Sequence, residues 1–121
     1  MSARTARVTG TVASAVEYSA TANEKQLMQT LIQCARLNNW FVYHTFDSRR
    51  SDAGFPDCVC VKGGRMLVFE LKAQNGRVSR QQRQWIEAFE DVPMVVAAIV
   101  RPEPKEDGEM SFDDALEMLA G

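Results

Sequence analysis

The stretch GFPDCVCVKGGRMLVFELK, residues 54–72, decides the fold. Cys58 to Val61 is a short run of strand formers, Lys62-Gly63-Gly64-Arg65 is a turn, and Met66 to Leu71 is a second strand, which together make a β-hairpin. Asp57 begins one arm and Glu70 ends the other, so antiparallel pairing brings the two acids within a few ångströms of one another. Strand alternation then projects Glu70 and Lys72 from the same face, and Cys58 and Cys60 together from a single face, where they pack as small apolar residues.

Glu70 follows the apolar run MLVF, and an unpaired carboxylate there is costly. A divalent cation gives two neighbouring acids a reason to stay ionised, and oxygen ligands favour Mg2+ or Mn2+ over zinc. A lysine beside such a cation can hold or deprotonate an attacking water, or balance charge building on a phosphate. Two carboxylates, a metal and an ammonium suit hydrolysis of a phosphodiester by activated water. No serine, tyrosine or cysteine adjoins an evident base as a covalent nucleophile would.

Outward from the hairpin, WFVYHTF (40–46) reads as a strand and DSRRSDAGF (47–55) as a loop. Before them Leu27, Leu31, Cys34 and Ala35 recur at helical steps, with Met28 and Ile32 alongside. Thr21 followed three residues later by Glu24 has the form of a capping box, and Asn38-Asn39 is an end signal. After the hairpin, Ala73 to Val78 breaks the pattern. Ser79 caps a helix with Trp85, Ile86 and Phe89 on its core side, and Pro93 closes it. Met94 to Val100 is a continuous apolar run, expected as a strand buried on both faces. A charged loop (102–108) and a short helix (111–120) carrying Leu116 and Leu119 complete the chain. The expected fold class is therefore α/β: a central mixed β-sheet flanked by helices, in the order αβββαβ plus a short C-terminal helix. Residues 1–20 show no pattern and are expected to be a flexible arm or one ordered against a partner subunit; residues 21–121 are expected to be a single domain.

Charge is uneven along the chain although the formal total is only −2. Residues 49–83 hold eight basic residues against three acids, a net +5, while residues 87–121 carry a net −8. A basic middle beside an acidic flank suits a phosphate-binding face as well as it suits a surface of mixed charge. Three cysteines are too few for a disulfide framework or a four-ligand zinc site. No apolar run reaches the ~18 residues of a membrane span, and the N-terminus lacks the apolar core of a secretory signal, so a cytoplasmic protein is expected.

The pattern of Asp57 with Glu70-x-Lys72 resembles the core motif of the PD-(D/E)xK nucleases. More narrowly, GFPD, the ELK tripeptide and Ser79-x-x-Gln82-x-x-Trp85 resemble the virus-type replication and repair nuclease (VRR-NUC) domains, over residues 22–100. The resemblance implies a restriction-endonuclease-like core that cleaves DNA with Mg2+ or Mn2+. It implies that Asp57, Glu70 and the Leu71 backbone carbonyl hold the metal, that Lys72 addresses the water or the scissile phosphate, and that Glu24 completes the site. Gln82 matches a glutamine on the helix after the motif, and His44, Arg49 and Arg50 fall where they could touch phosphate. Stand-alone members of this size resemble Holliday-junction resolvases that act as homodimers on branched DNA. A less selective flap, nick or single-strand nuclease, and a DNA-binding protein without turnover, are the alternatives.

From the residues alone, Glu24 also has a complete role as a capping residue, and Gln82 beside Gln81 and Gln84 serves equally on a solvated face. His44, the one histidine, fits a structural role, and Trp85 and Phe89 fit the core. Lys62, Arg65, Arg77, Arg80 and Arg83 cluster around the motif and are read as DNA contacts.

Overall fold

Helix α1 spans Glu24–Leu37 and buries Leu27, Leu31, Ile32 and Ala35. The computed structural model to which it belongs describes residues 22–45 and 52–121. Burying Leu27 and Leu31 stabilises the helix by about 1.5–3 kcal/mol each, more than the ~1 kcal/mol of a cap. Packing therefore decides that the helix forms, and the cap decides where it starts. That cap is not the expected one: the Asn23 side chain accepts from the Gln26 N–H while the Gln26 side chain accepts from the Asn23 N–H. Asparagine is at least as good an N-cap as threonine, and glutamine closes the box as glutamate would. Thr21 lies outside the described residues, and Glu24 becomes the first helical residue, relieved of capping. At the other end Asn38 caps, Asn39 takes a left-handed φ of 68°, and the Trp40 N–H returns to the Ala35 carbonyl.

Five strands follow: β1 (Phe41–His44), β2 (Cys58–Lys62), β3 (Arg65–Leu71), β4 (Val95–Arg101) and β5 (Met110–Ser111), with α2 (Arg80–Glu90) between β3 and β4 and α3 (Phe112–Ala120) last. They form one mixed sheet in the order β1-β2-β3-β4-β5, antiparallel across β1/β2/β3 and parallel across β3/β4/β5. This is the α/β architecture of a restriction-endonuclease-like core. The two-residue β5 was not expected, because so short a pairing leaves no periodicity to read. β1 is shorter than the expected strand: Trp40 turns into the core ahead of it, its indole N–H donating 2.8 Å to the Leu119 carbonyl, and Phe46 lies outside the described residues. β4 begins at Val95, is buried from Ala97 onward, and leaves Val96 39% exposed, so its first turn is not covered on both faces.

Strand alternation sorts the hydrophobic residues into two layers. Leu67, Phe69 and Leu71 pack with Leu27, Leu31, Phe112, Leu116 and Leu119 beneath α1 and α3. Val68, Ala97 and Ile99 pack with Ile86 beneath α2. Glu70 and Lys72 share Val68's face, so the hairpin's charged residues emerge under the N-terminal end of α2. Cys58 and Cys60 are fully buried in the first layer with their sulfurs 3.7 Å apart, and the hydrogen bond with the Cys60 thiol, together with burial, raises the Cys58 pKa.

Gly54 fixes where α2 meets the strand bearing Asp57. It has a φ of +82°, and a Cβ there would lie 2.5 Å from the Gln81 backbone carbon and 2.6 Å from the Gln82 nitrogen. Phe55 continues the contact edge-on to Trp85, at 5.0 Å between ring centroids, and the Trp85 N–H donates to the Ala53 carbonyl. Trp85 thus clamps the GFPD loop from a half-buried position outside either core layer, rather than filling the core as its spacing suggested. Gly54→Ala is expected to destabilise the fold by about 1–3 kcal/mol through strain and overlap, read as a lowered Tm; an unchanged Tm would refute the tight approach.

Candidate active site

Asp57 stands one residue before β2, and its Oδ2 accepts 2.9 Å from the Leu71 N–H at the end of β3. The hydrogen bond joins the two hairpin arms just beyond their last paired residues, Cys58 and Phe69. Glu70 is buried to 2% exposure. Its Oε2 accepts 2.9 Å from the Gln82 side-chain amide and lies 3.7 Å from Lys72 Nζ. Lys72 is itself only 7% exposed, and its backbone N–H donates to the Val100 carbonyl of β4. The arrangement carries Glu70 and Lys72 into a nearly dry place beside half-buried Asp57, where each charge is felt strongly.

Burial raises the Glu70 pKa, the charge of Asp57 adds to the rise, and Lys72 opposes it without cancelling it, so the carboxyl is pushed up to about 9. Burial also raises the Asp57 pKa, against the Leu71 N–H, the Glu70 contact and Lys72, which lower it. Glu70 Oε1 is buried with no hydrogen-bond partner. An orphaned carboxylate oxygen between a second acid and a lysine is a place where a divalent cation resolves two problems, the unpaired acceptor and the like charges. Among the described residues no group of three His, Cys, Asp or Glu side chains is gathered to hold a metal. Magnesium fits such a site because it is commonly bound by one or two carboxylates, with water and substrate phosphate completing its shell.

Glu24 approaches from the first turn of α1, and its charge acts on Glu70. It lines a groove of about 920 Å³ together with Asp57, Leu71, His44, Lys25 and Arg36. His44 ends β1 opposite Cys58, and the next residue, Thr45, donates its N–H to the Asp57 carbonyl. Glu70 and Lys72 sit behind this groove rather than on its wall.

The cations are divided. Arg77 and Arg80 are exposed where the chain enters α2, beside the site. Arg83 is 3.5 Å from Glu106 in an exposed pair of little energetic weight. Arg65 is not at the site: it starts β3 opposite Lys62, five residues from Glu70 and so roughly 17 Å along the strand, where its guanidinium lies 5.0 Å from the Trp40 ring. Clustering in sequence placed it beside the acids, but an extended strand carries its two ends apart. Arg49 and Arg50 lie outside the described residues.

Gln82 closes the Ser79 capping box with its Oε1 while its Nε2 reaches Glu70, so one side chain both starts α2 and ties it to the acid. Ser79-x-x-Gln82 signals the capping box alone, and the reach of the Gln82 amide to Glu70 comes from how α2 crosses the sheet. Arg101, at the end of β4, was counted with the acidic flank, yet it is 4% exposed and binds the turn that follows Lys72. An arginine closing the apolar run VVAAIV was the available clue.

A mixed sheet that delivers two acids and a lysine to the ends of paired strands accords with the family whose sequence pattern the chain matches. The chain belongs to the VRR-NUC domain family, whose match covers residues 3–100. This is a nuclease family, with DNA as its partner. No curated protein matches the chain. Among the described residues no helix is long and apolar enough to cross a membrane.

Proposed function

We propose that the chain is a metal-dependent DNA endonuclease that hydrolyses a phosphodiester with water as the nucleophile. The observation that carries this reading is Glu70 Oε1, a buried acceptor without a partner beside Asp57 and Lys72. Asp57, Glu70 and the Leu71 carbonyl are the proposed holders of Mg2+ or Mn2+, with Glu24 contributing from α1. When bound, the cation polarises the phosphoryl group and lowers the pKa of water. Asp57 is oriented by the Leu71 N–H and Glu70 by Gln82, so both carboxylates keep their aim when substrate arrives. The Lys72 ammonium faces the same point, where it can hold the attacking water and offset charge on the pentacoordinate phosphorus. As water oxygen bonds to phosphorus the P–O ester bond breaks, and the leaving oxygen takes up a proton.

Arg77, Arg80 and Arg83 flank the site and His44 lines its groove, which suits contacts to phosphates on either side of the cut. Residues 21–121 form the nuclease domain in this reading, and the expected arm of residues 1–20 lies outside the described residues. Action as a homodimer on branched, four-way DNA follows from the likeness to resolvases, and a cytoplasmic setting suits such a protein. The test is to incubate the protein with linear, flap and four-way DNA in magnesium, manganese or chelator. Cleavage is expected with either metal and none in chelator, with four-way DNA cut fastest. Undiminished cutting in chelator would remove the metal from the mechanism, and equal cutting of linear and four-way DNA would remove the branched preference.

A further inference from the structure

We propose that Arg101 and Glu109 are positioning residues, which hold the turn after Lys72 against Glu24 and thereby set the spacing across the active site. The proposal rests on reading that site as the DNA-cleaving centre. Arg101 Nη1 donates to the Gly76 carbonyl at 2.6 Å and to those of Gln74 and Ala73 at 3.3 and 3.4 Å, while its Nε donates 2.8 Å to Glu109 Oε1. Three carbonyls of one turn thus converge on a single nitrogen. Glu109 Oε1 also accepts from the Lys105 and Glu106 N–H groups, so the loop after β4 is closed around the same pair. A second clasp joins the two segments: the Gln74 amide donates to the Glu103 carbonyl and accepts from the Glu103 N–H.

The side chains of Arg101 and Glu109 are 4% and 2% exposed. Burial works against the Glu109 carboxylate, but the bonds from Arg101, Lys105 and Glu106 outweigh it and hold its carboxyl below the ordinary range. An ion pair this enclosed is a poor source of stability, since well-packed apolar residues often do as well. What an apolar pair cannot do is fix three carbonyls, and a planar guanidinium does so with directional donors. The turn that it fixes starts immediately after Lys72, whose own N–H is bonded to Val100, the neighbour of Arg101. On its far side the turn meets the helix acid: a Cβ on Gly76 would lie 3.4 Å from Glu24 Oε2 and 3.3 Å from the Ala73 carbonyl oxygen. Lys72 and Glu24 are therefore spaced by a turn whose shape Arg101 dictates. Both Arg101 and Glu109 lie past the residues that the family match covers.

The experiment compares the full-length wild type with Arg101→Lys, Gly76→Ala and Lys72→Ala on the DNA that the wild type cleaves, in magnesium. Arg101→Lys keeps a cation for Glu109 but loses the planar set of donors. Gly76→Ala leaves the ion pair intact and crowds the turn from within, its Cβ 3.3 Å from the Ala73 carbonyl oxygen, so it disturbs the turn even if Arg101→Lys fails to fold. Each is expected to lower kcat by about 10- to 100-fold, the effect of a small misplacement of reacting groups, with KM within about threefold. Amide exchange should quicken at residues 74–77 while β3 stays protected. Wild-type kcat in both variants overturns the proposal. So does a loss of activity that only follows the folded fraction, with exchange rising equally in β3. Lys72→Ala as active as the wild type is a separate result: it removes the reading of the site, and the positioning role with it.

Discussion

Lys72→Ala is expected to abolish DNA cleavage, with a fall in kcat of about a thousandfold or more and DNA affinity changed only severalfold. Loss of one well-placed electrostatic group in a dry site commonly removes 10²–10³ of rate, and Lys72 combines that role with holding the water. Its side chain is 9% exposed and 3.7 Å from Glu70 Oε2, a nearly dry position in which a single ammonium acts strongly. Lys72→Arg should not restore the rate, because a planar fork cannot occupy the place of a compact ammonium beside Glu70. The check is single-turnover cleavage in magnesium alongside binding in calcium. Wild-type cleavage by Lys72→Ala would end the mechanism proposed above.

Glu70→Gln is expected to act in opposite directions on activity and stability. Cleavage should be lost, since an amide oxygen holds a divalent cation far less well than a carboxylate. The metal-free fold should gain stability at pH 8, and the sign follows from proton linkage. Glu70 has its pKa raised from 4.5 to about 9 in the folded chain, so between those limits the folded state holds a proton that the unfolded state has released. The Glu70 contribution to metal-free stability therefore falls as pH rises through that window, and is level below and above it. Asp57, also raised, adds a contribution of the same sign. Glutamine has no proton to lose and should remove most of that slope, which amounts to a few kcal/mol by pH 8. Magnesium should flatten the slope of the wild type from the other direction, by favouring the ionised pair. Denaturant melts at pH 5 and pH 8, with magnesium and with chelator, read all of these effects. A wild-type curve that rises with pH in chelator would contradict the burial of Glu70.

The parts of the site that could be read in the sequence are those that lie close together along it. Asp57, Glu70 and Lys72 belong to one hairpin, and strand pairing with alternation is enough to bring them together. Gln82 follows from likeness and Ser79 from capping chemistry, but the bond that joins Gln82 to Glu70 depends on how α2 crosses the sheet. Glu24 was given to a capping box with Thr21 because both Thr21 and Asn23 are competent caps. Only the packing of Leu27 and Leu31 sets the register that selects Asn23. Arg101 could not be placed by charge counting. Its neighbours are fixed by the parallel register of β3 and β4, which pairs Leu71 with Val100 across an intervening helix. Arg65 stands apart from the acids for the complementary reason: residues near one another in a motif need not be near one another in an extended strand.

The sheet keeps its long strands inside and its short ones at the margins. β3 and β4, at seven residues each, are internal, whereas the outer strands β1 and β5 have four and two. A free sheet margin is a template on which another chain can add a strand, and its danger grows with the length of unpaired backbone. Here the margins present little of it, even though Phe41 and Tyr43 on β1 are 81% and 59% exposed. The same outline that carries a charged site to the strand ends leaves the described rims poor seeds for aggregation. A nuclease fold can thus carry a buried ionic site without becoming prone to precipitate when that site loosens.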